Sequence, residues 1–488
     1  MNDAHATSAP PRAKPPRQYP IELFMDTTRL TGASFSADEQ RVLFSSDATG
    51  IFNAYALAAS GGQPEPLTSS ETDTTLAVSY FPDDDRILST RDNGGDEQNH
   101  LYVRELDGEE KDLTPGDKLK ASFLAWRPDG KAFYVLCNER DPKFFDLYRY
   151  DAQTYARTLL YRNEHAFEVI AVSRDEQWVA LDKPNTVQDS DLHLYRVATG
   201  ETRHITPHQG NVSANSATFD PASKRLFFLS DEGREFKSLR AYNLASGETR
   251  EHEVADWDIS FTYYSRDGRY RVTGVNSDAT TVIRIVEGAD EKAVPLPPLP
   301  PGEILELTFS RTSARMAFYV NGDRSPSNLF VYEFATGQVQ QLTQSLPSQI
   351  DPEDLVEGQV VRFKSFDGMV IPSIYYQPHG ATASDKAPAL VYVHGGPGGQ
   401  TRHGYNPQIQ FLVNHGYAVL GINNRGSGGY GKTFRAADNR PHGREPLWDC
   451  VEAKPWLASL GCIDHERIGI MGGSYGGYMT LAALAFRP

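Results

Sequence analysis

A serine set among glycines is the residue in this chain whose surroundings could support covalent chemistry. Gly472-Gly473-Ser474-Tyr475-Gly476-Gly477 fits G-x-S-x-G. It falls between an apolar run, Ile468–Met471, that reads as a strand and a stretch, Tyr478–Phe486, that reads as the start of a helix. A sharp strand-to-helix turn strains the serine backbone, so neighbours without a Cβ are needed for the turn and for close strand–helix approach. The hydroxyl of Ser474 then stands at the carboxyl end of a sheet as a nucleophile for acyl transfer. A second glycine-rich segment, His394-Gly395-Gly396-Pro397-Gly398-Gly399, directly follows the apolar run Ala389–Val393. Such a loop supplies a backbone N–H to an oxyanion hole. The other donor is expected from Tyr475, the residue after the nucleophile, and such donors are worth roughly 3–4 kcal/mol each to a tetrahedral intermediate. His394 and Gly395 support the loop, His394 by hydrogen bonds and not by proton transfer.

Other chemistries find less support. Gly426-Ser-Gly428-Gly-Tyr-Gly431 matches G-x-G-x-x-G, but a dinucleotide site needs a helix opening there and an acidic residue about 20 positions later. The following Lys432–Pro441 reads as loop, so no cofactor is expected. Cys137, Cys450 and Cys462 are scattered and lack CxxC spacing, which argues against a disulfide framework and a zinc site. No metal is expected. A serine nucleophile needs a base, and in α/β-hydrolases the acid and histidine follow the serine along the chain. The fourteen residues after Ser474 contain no Asp, Glu or His, and His379, His394, His403, His415, His442 and His465 all precede it. The base and its acid are therefore expected beyond Pro488, and the domain reads as cut off after its nucleophile helix.

The elements that position these motifs alternate. Gln359–Phe363 and Val370–Tyr376 read as a hairpin, Ala389–Val393, Ala418–Ile422 and Arg467–Met471 as buried strands, and Gln408–Asn414 as a helix. Leu447–Leu460 reads as a helix that Pro455 should kink or split. Strand alternating with helix predicts a mainly parallel α/β sheet over 353–488.

Residues 26–350 follow another rhythm. An aromatic or apolar residue, then a short Ser, Pro, Arg or Asp turn, recurs at Phe35, Tyr80, Trp126, Val172, Phe219, Tyr264 and Phe309, with steps of 45, 46, 46, 47, 45 and 45 residues. A second column runs through Leu67-Thr68, Leu113-Thr114, Leu159-Leu160, Ile205-Thr206 and Leu342-Thr343. A period near 46 with about four short strands per unit predicts a seven-bladed β-propeller. Val294–Gly302 reads as a stiff proline-rich connector between units six and seven. Residues 1–25 read as a proline-rich segment, disordered or docked.

Composition bounds the partners. Of 488 residues, 48 are Lys or Arg and 64 Asp or Glu, a net charge of −16, which disfavours nucleic acid and anionic membranes. No run of about 18 apolar residues would span a membrane, and the first 20 residues lack the apolar core of a secretory signal, so a cytoplasmic location is expected.

The chain resembles the prolyl oligopeptidase family of serine peptidases, in its acylaminoacyl-peptidase and dipeptidyl-peptidase-like branch. The resemblance rests on Lys364-Ser-Phe-Asp-Gly368 with Ile371-Pro372, the His394–Pro397 loop, Asn424-Arg-Gly-Ser-Gly-Gly-Tyr-Gly431 and Arg467–Met479. It implies a seven-bladed propeller capping an α/β-hydrolase domain, Ser474 as nucleophile with Gly396 and Tyr475 as oxyanion donors, and oligopeptide substrates. It also implies an N-terminal segment packed on the hydrolase part; an oligomer is possible. Two alternatives stay open: an esterase on the same fold, and a non-catalytic propeller that binds peptides.

Overall fold

A period of about 46 residues leaves room for four short strands and their turns. The computed structural model, which describes residues 16–439 and 443–487, contains seven such sheets in chain order. Each is a four-stranded antiparallel meander cut from one contiguous segment. The first holds Leu30–Phe35, Arg41–Ser46, Asn53–Ala58 and Glu65–Pro66; the seventh holds Glu303–Phe309, Arg315–Gly322, Ser325–Glu333 and Gln338–Gln341. The protein is a seven-bladed β-propeller joined to an α/β unit.

Both repeat columns have local causes. The aromatic or apolar residue of the first column is the last residue of the first strand in every blade. The Ser and Asp after it build the next turn. Asp38 accepts the Ser36 hydroxyl at 2.6 Å and the Gln40 N–H at 3.0 Å. Asp267 does the same with Ser265 at 2.6 Å and Arg269 at 3.0 Å. In the second column, the hydroxyls of Thr68, Thr114, Thr206 and Thr343 accept the N–H groups of Ala54, Leu101, Leu192 and Leu329 at 2.8–2.9 Å, just past the fourth strand. Leu159-Leu160 does not belong to this column. It lies inside the fourth strand Arg157–Tyr161; blade three lacks the threonine but keeps the bond two positions further on, Asn163 N–H to Asp146 at 2.8 Å, that Ser70 and Asn53 make in blade one.

The ring closes without a shared strand. Val42 and Phe44 of blade one pack with Tyr319 and Leu329 of blade seven. The Tyr319 hydroxyl donates to the Gly32 carbonyl at 2.6 Å.

The α/β unit has a five-stranded sheet ordered Gln359–Lys364, Val370–Tyr376, Ala418–Ile422, Ala387–Val393, Ile463–Gly472. The last three are mutually parallel and the first two join antiparallel. Helices cover both faces, as apolar parallel strands require. Leu447, Ala453, Leu457 and Met479 pack on Val391, Val393, Leu420 and Ile422, while Ile409 and Val413 pack on Ile374 and Val419 opposite.

The split at Pro455, one of the two outcomes expected there, does not occur, and a second local expectation is corrected. The helix Glu445–Ser459 runs through Pro455, which lies on its exposed side where the carbonyl left without an N–H partner can turn to water. The segment after Gly431, expected as loop, contains a short helix, Lys432–Ala436. Its first turn is fixed from the propeller: Glu235 accepts the Thr433 N–H and hydroxyl, each at 2.7 Å. Local sequence carries no sign of that contact. Arg440 and Pro441, the end of the expected loop, lie outside the described residues.

Residues 1–15 also lie outside the described residues. Beyond them, the Tyr19 N–H donates to Asn414 at 3.0 Å, and Phe24 packs edge-on against Phe411 of the helix Pro407–Asn414. Among the described residues no helix is long and apolar enough to cross a membrane.

Candidate active site

Ser474 sits where the strand Ile463–Gly472 turns into the helix Tyr475–Phe486. Its backbone is held at φ 53° and ψ −121°, a region costing a residue with a Cβ about 1–3 kcal/mol. Its side chain is exposed. The turn is possible because of close approach next to it: a methyl group on Gly476 would stand 2.0 Å from the Val393 carbonyl oxygen. The neighbouring strand Ala387–Val393 pairs in parallel up to Val393 opposite Gly472, and so delivers the His394–Gly399 loop beside the serine. A methyl on Gly395 would lie 3.7 Å from the Ser474 Cβ. Gly396 has φ 146° and a methyl there would meet the Gly398 nitrogen at 2.6 Å, so no side chain fits.

His394 is occupied by its own loop. Nδ1 lies 2.7 Å from the Gly395 carbonyl oxygen and Nε2 lies 2.8 Å from the Ser427 hydroxyl. The Ser427 hydroxyl also donates to the Asn424 carbonyl at 2.7 Å, and burial pushes the His394 pKa down. Tyr475 packs against Tyr478, and burial raises its phenol pKa. Three other histidines of this half point elsewhere: His403 to Asp323 at 2.8 Å, His415 to the Phe411 carbonyl at 3.0 Å and His379 to the Leu355 carbonyl at 3.2 Å. His442 lies outside the described residues.

A buried ion cluster anchors the loop behind the site. Arg425, its side chain 5% exposed, bonds Asp449 through Nε and Nη2 at 2.9 and 2.8 Å and Asp367 at 2.8 and 3.0 Å. Asp449, fully buried on the helix Glu445–Ser459, also accepts the Arg425 N–H at 2.9 Å and the Ser365 hydroxyl at 2.5 Å. Burial pushes the Asp449 carboxyl up, whereas the Arg425 bonds hold the more exposed Asp367 below its usual range. Sequence reading singles out the Asn424-Arg-Gly motif without giving Arg425 this role, and nothing local marks Asp449.

The propeller grips the same loops. Asn276 of blade six donates to Gln400 at 2.8 Å, and Gln188 of blade four donates to the Arg435 carbonyl at 3.1 Å. The Arg435 guanidinium donates to the Gly426 carbonyl at 2.7 Å and covers the Cα of Gly398.

Comparison with known proteins fits this arrangement. Residues 65–345 match the prolyl oligopeptidase N-terminal β-propeller domain, and residues 404–488 match the prolyl oligopeptidase family. The chain belongs to the prolyl oligopeptidase family. Dipeptidyl aminopeptidase BIII of Pseudoxanthomonas mexicana is 29% identical over 458 residues, which are 90% of this chain and 65% of that relative. Dipeptidyl peptidase family member 6 of Caenorhabditis elegans is 22% identical over 96% of this chain and 69% of its own length. Among solved structures, a Mycobacterium tuberculosis puromycin-hydrolyzing peptidase superposes with a TM-score of 0.80 at 17% identity, covering 97% of this chain and 78% of that one. At that identity the superposition shows a shared fold. The chain thus spans about two thirds of its first family relative, and Ser474 lies in the part matched to the hydrolase model.

Proposed function

We propose that this family member is a serine peptidase that cleaves short peptides by acyl transfer through Ser474. The observation that carries the reading is the Ser474 elbow itself: a strained, exposed serine at the end of a parallel strand, with the His394–Gly399 loop beside it. In this reading the Ser474 hydroxyl attacks the scissile carbonyl. The N–H groups of Gly396 and Tyr475 receive the oxyanion. The hydroxyl proton passes to a histidine held by a carboxylate, and then to the leaving amine. Water repeats the sequence on the acyl-enzyme. His394 keeps its loop in shape and takes no proton. The names of the relatives support a peptide substrate, and those two favour removal of dipeptides over acylated residues. The propeller turns bound to the loops around the site favour short, unfolded chains. The reading includes a cytoplasmic location, no cofactor and no metal.

The test is a panel of dipeptidyl, aminoacyl and N-acetyl-aminoacyl nitroanilides together with a nitrophenyl ester. Turnover of peptide amides that Ser474→Ala abolishes is the expected result. Turnover of the ester alone would assign an esterase, and saturable peptide binding with no turnover would assign a binding protein.

A further inference from the structure

One position of the propeller repeat is not explained by folding. Two residues after the aromatic or apolar residue that closes each first strand, the blades carry Ala37, a proline in blades two, three and five, and Arg174, Arg266 and Arg311 in blades four, six and seven. No blade carries an acid there. These turns lie at the mouth of the axial channel that faces away from the α/β unit, since the opposite turns, with Gln188, Glu235 and Asn276, are the ones bonded to it. The channel end is a cavity of about 540 Å³ lined by all seven blades, and Arg174, Arg266 and Arg311 all line it.

The three guanidinium groups lack the partners that arginines elsewhere in the ring possess. Arg127, on the same side, pairs with Asp129 at 3.3 Å, and Arg86 pairs with Asp84 at 2.8 Å. Among the described residues Arg174 has only the Ser265 carbonyl, at 3.1 Å, and the buried Nε of Arg266 has no acceptor. The acids next to them in sequence each use one oxygen within their own turn, Asp175 accepting from Ser173 and Gln177 and Asp267 from Ser265 and Arg269, and neither forms a salt bridge to the three arginines among the described residues. Arg266 reaches across the mouth from blade six to blade three, where a methyl on Gly130 would stand 2.6 Å from its Nη2. Burial pushes the pKa values of Arg174 and Arg266 down, and the charges of Asp267 and Asp220 near Arg174 and of Asp83 and Asp129 near Arg266 offset only part of this. Three cations in one mouth that form no salt bridge among the described residues, in a chain of net charge −16, make a site that an anion would complete. The planar fork of a guanidinium fits a carboxylate through two parallel hydrogen bonds.

We infer that the far mouth of the propeller channel is a carboxylate-binding site, formed by Arg174, Arg266 and Arg311, that holds the C-terminal carboxylate of a short peptide lying in the channel. The choice of a peptide terminus as the anion rests on the peptidase reading; the arginine cluster does not.

Fluorescence anisotropy on the Ser474→Ala chain tests this without reading turnover, so absence of hydrolysis does not affect the result. The probes are a dye-labelled tetra-alanine with a free C-terminal carboxylate and its C-terminal amide. The free acid is expected to bind at least about tenfold more tightly, a typical scale for a charge-assisted bidentate contact. The triple variant Arg174→Gln, Arg266→Gln, Arg311→Gln is expected to erase that preference at an unchanged unfolding temperature. Should the triple variant not fold, Arg311→Gln alone, at the exposed edge of the mouth, is expected to narrow the preference. Equal binding of acid and amide overturns the inference, as does a preference that survives these variants. Inorganic phosphate competing at the arginines while acid and amide bind alike would mark a site for free anions and overturn the peptide assignment.

Discussion

Ser474 keeps an unfavourable backbone because its neighbours leave it no other place. Gly476 lies against the Val393 carbonyl, and both atoms of that contact belong to backbone, which cannot swing aside as a side chain can. Gly476→Ala is therefore expected to lower stability by about 1–3 kcal/mol, the usual range for overpacking, and to move the serine off its elbow. Urea unfolding of the variant checks the first part; an unchanged midpoint would show that the turn has slack. The serine and its glycines were legible in the sequence because G-x-S-x-G sits between a run of strand type and one of helix type. What holds the following loop was not. Arg425 and Asp449 are 24 positions apart on a loop and a helix, and only the fold joins them. Asp449→Ala leaves a buried guanidinium with Asp367 as its remaining carboxylate, and a loss of about 3–5 kcal/mol is expected in the same measurement.

At the scale of elements, the blades show why a weak sequence repeat can specify a regular architecture. The repeated residues are those that end strands or satisfy backbone groups between them. Thr114 is an example: it is 1% exposed and its hydroxyl is the acceptor for the buried Leu101 N–H. Thr114→Val keeps the shape and removes the acceptor, so a cost of about 1–3 kcal/mol is expected from thermal or urea unfolding, whereas Thr114→Ser should restore most of it. Equal stability of the Val and Ser variants would refute this account of the second repeat column. That column could be read in advance wherever Thr does this work. It was misread in blade three, whose fourth strand ends in Tyr161 with no threonine after it. The short helix Lys432–Ala436 was illegible for a related reason: its first turn is stabilised by Glu235, almost two hundred positions away.

At the scale of the whole molecule, the propeller and the α/β unit meet on Asp323, a 3% exposed carboxylate in a turn of blade seven. It accepts His403 Nδ1 at 2.8 Å, the N–H groups of Gly404 and Gly358 at 2.8 and 2.9 Å, and the Tyr376 hydroxyl at 3.1 Å. Burial alone would raise the Asp323 pKa and lower that of His403. Burial is the largest single influence on each, but the bond between them, their mutual charge and, for Asp323, the Gly404 and Gly358 N–H groups together outweigh it, so Asp323 lies below its ordinary value and His403 above its own, with Glu357 and Glu303 adding to the latter. A raised histidine contributes stability that is complete below its unfolded pKa and fades as pH rises through the folded one. A depressed carboxylate contributes stability that is complete above its unfolded pKa and fades as pH falls through the folded one. The pair thus contributes most between about pH 4 and 6.5, the ordinary values of the two groups. Thermal unfolding from pH 4 to 9 should show a decline on the alkaline side that His403→Gln removes; matching profiles would exclude the pair as its cause. The central claim, that Ser474 is the nucleophile of a peptidase, is tested most directly by treating the native protein with a fluorophosphonate and mapping the adduct by tryptic mass spectrometry. The account predicts one adduct, at Ser474 in the tryptic peptide that begins at Ile468, absent in Ser474→Ala. A folded protein that takes no adduct there, or takes it at another serine, would contradict it.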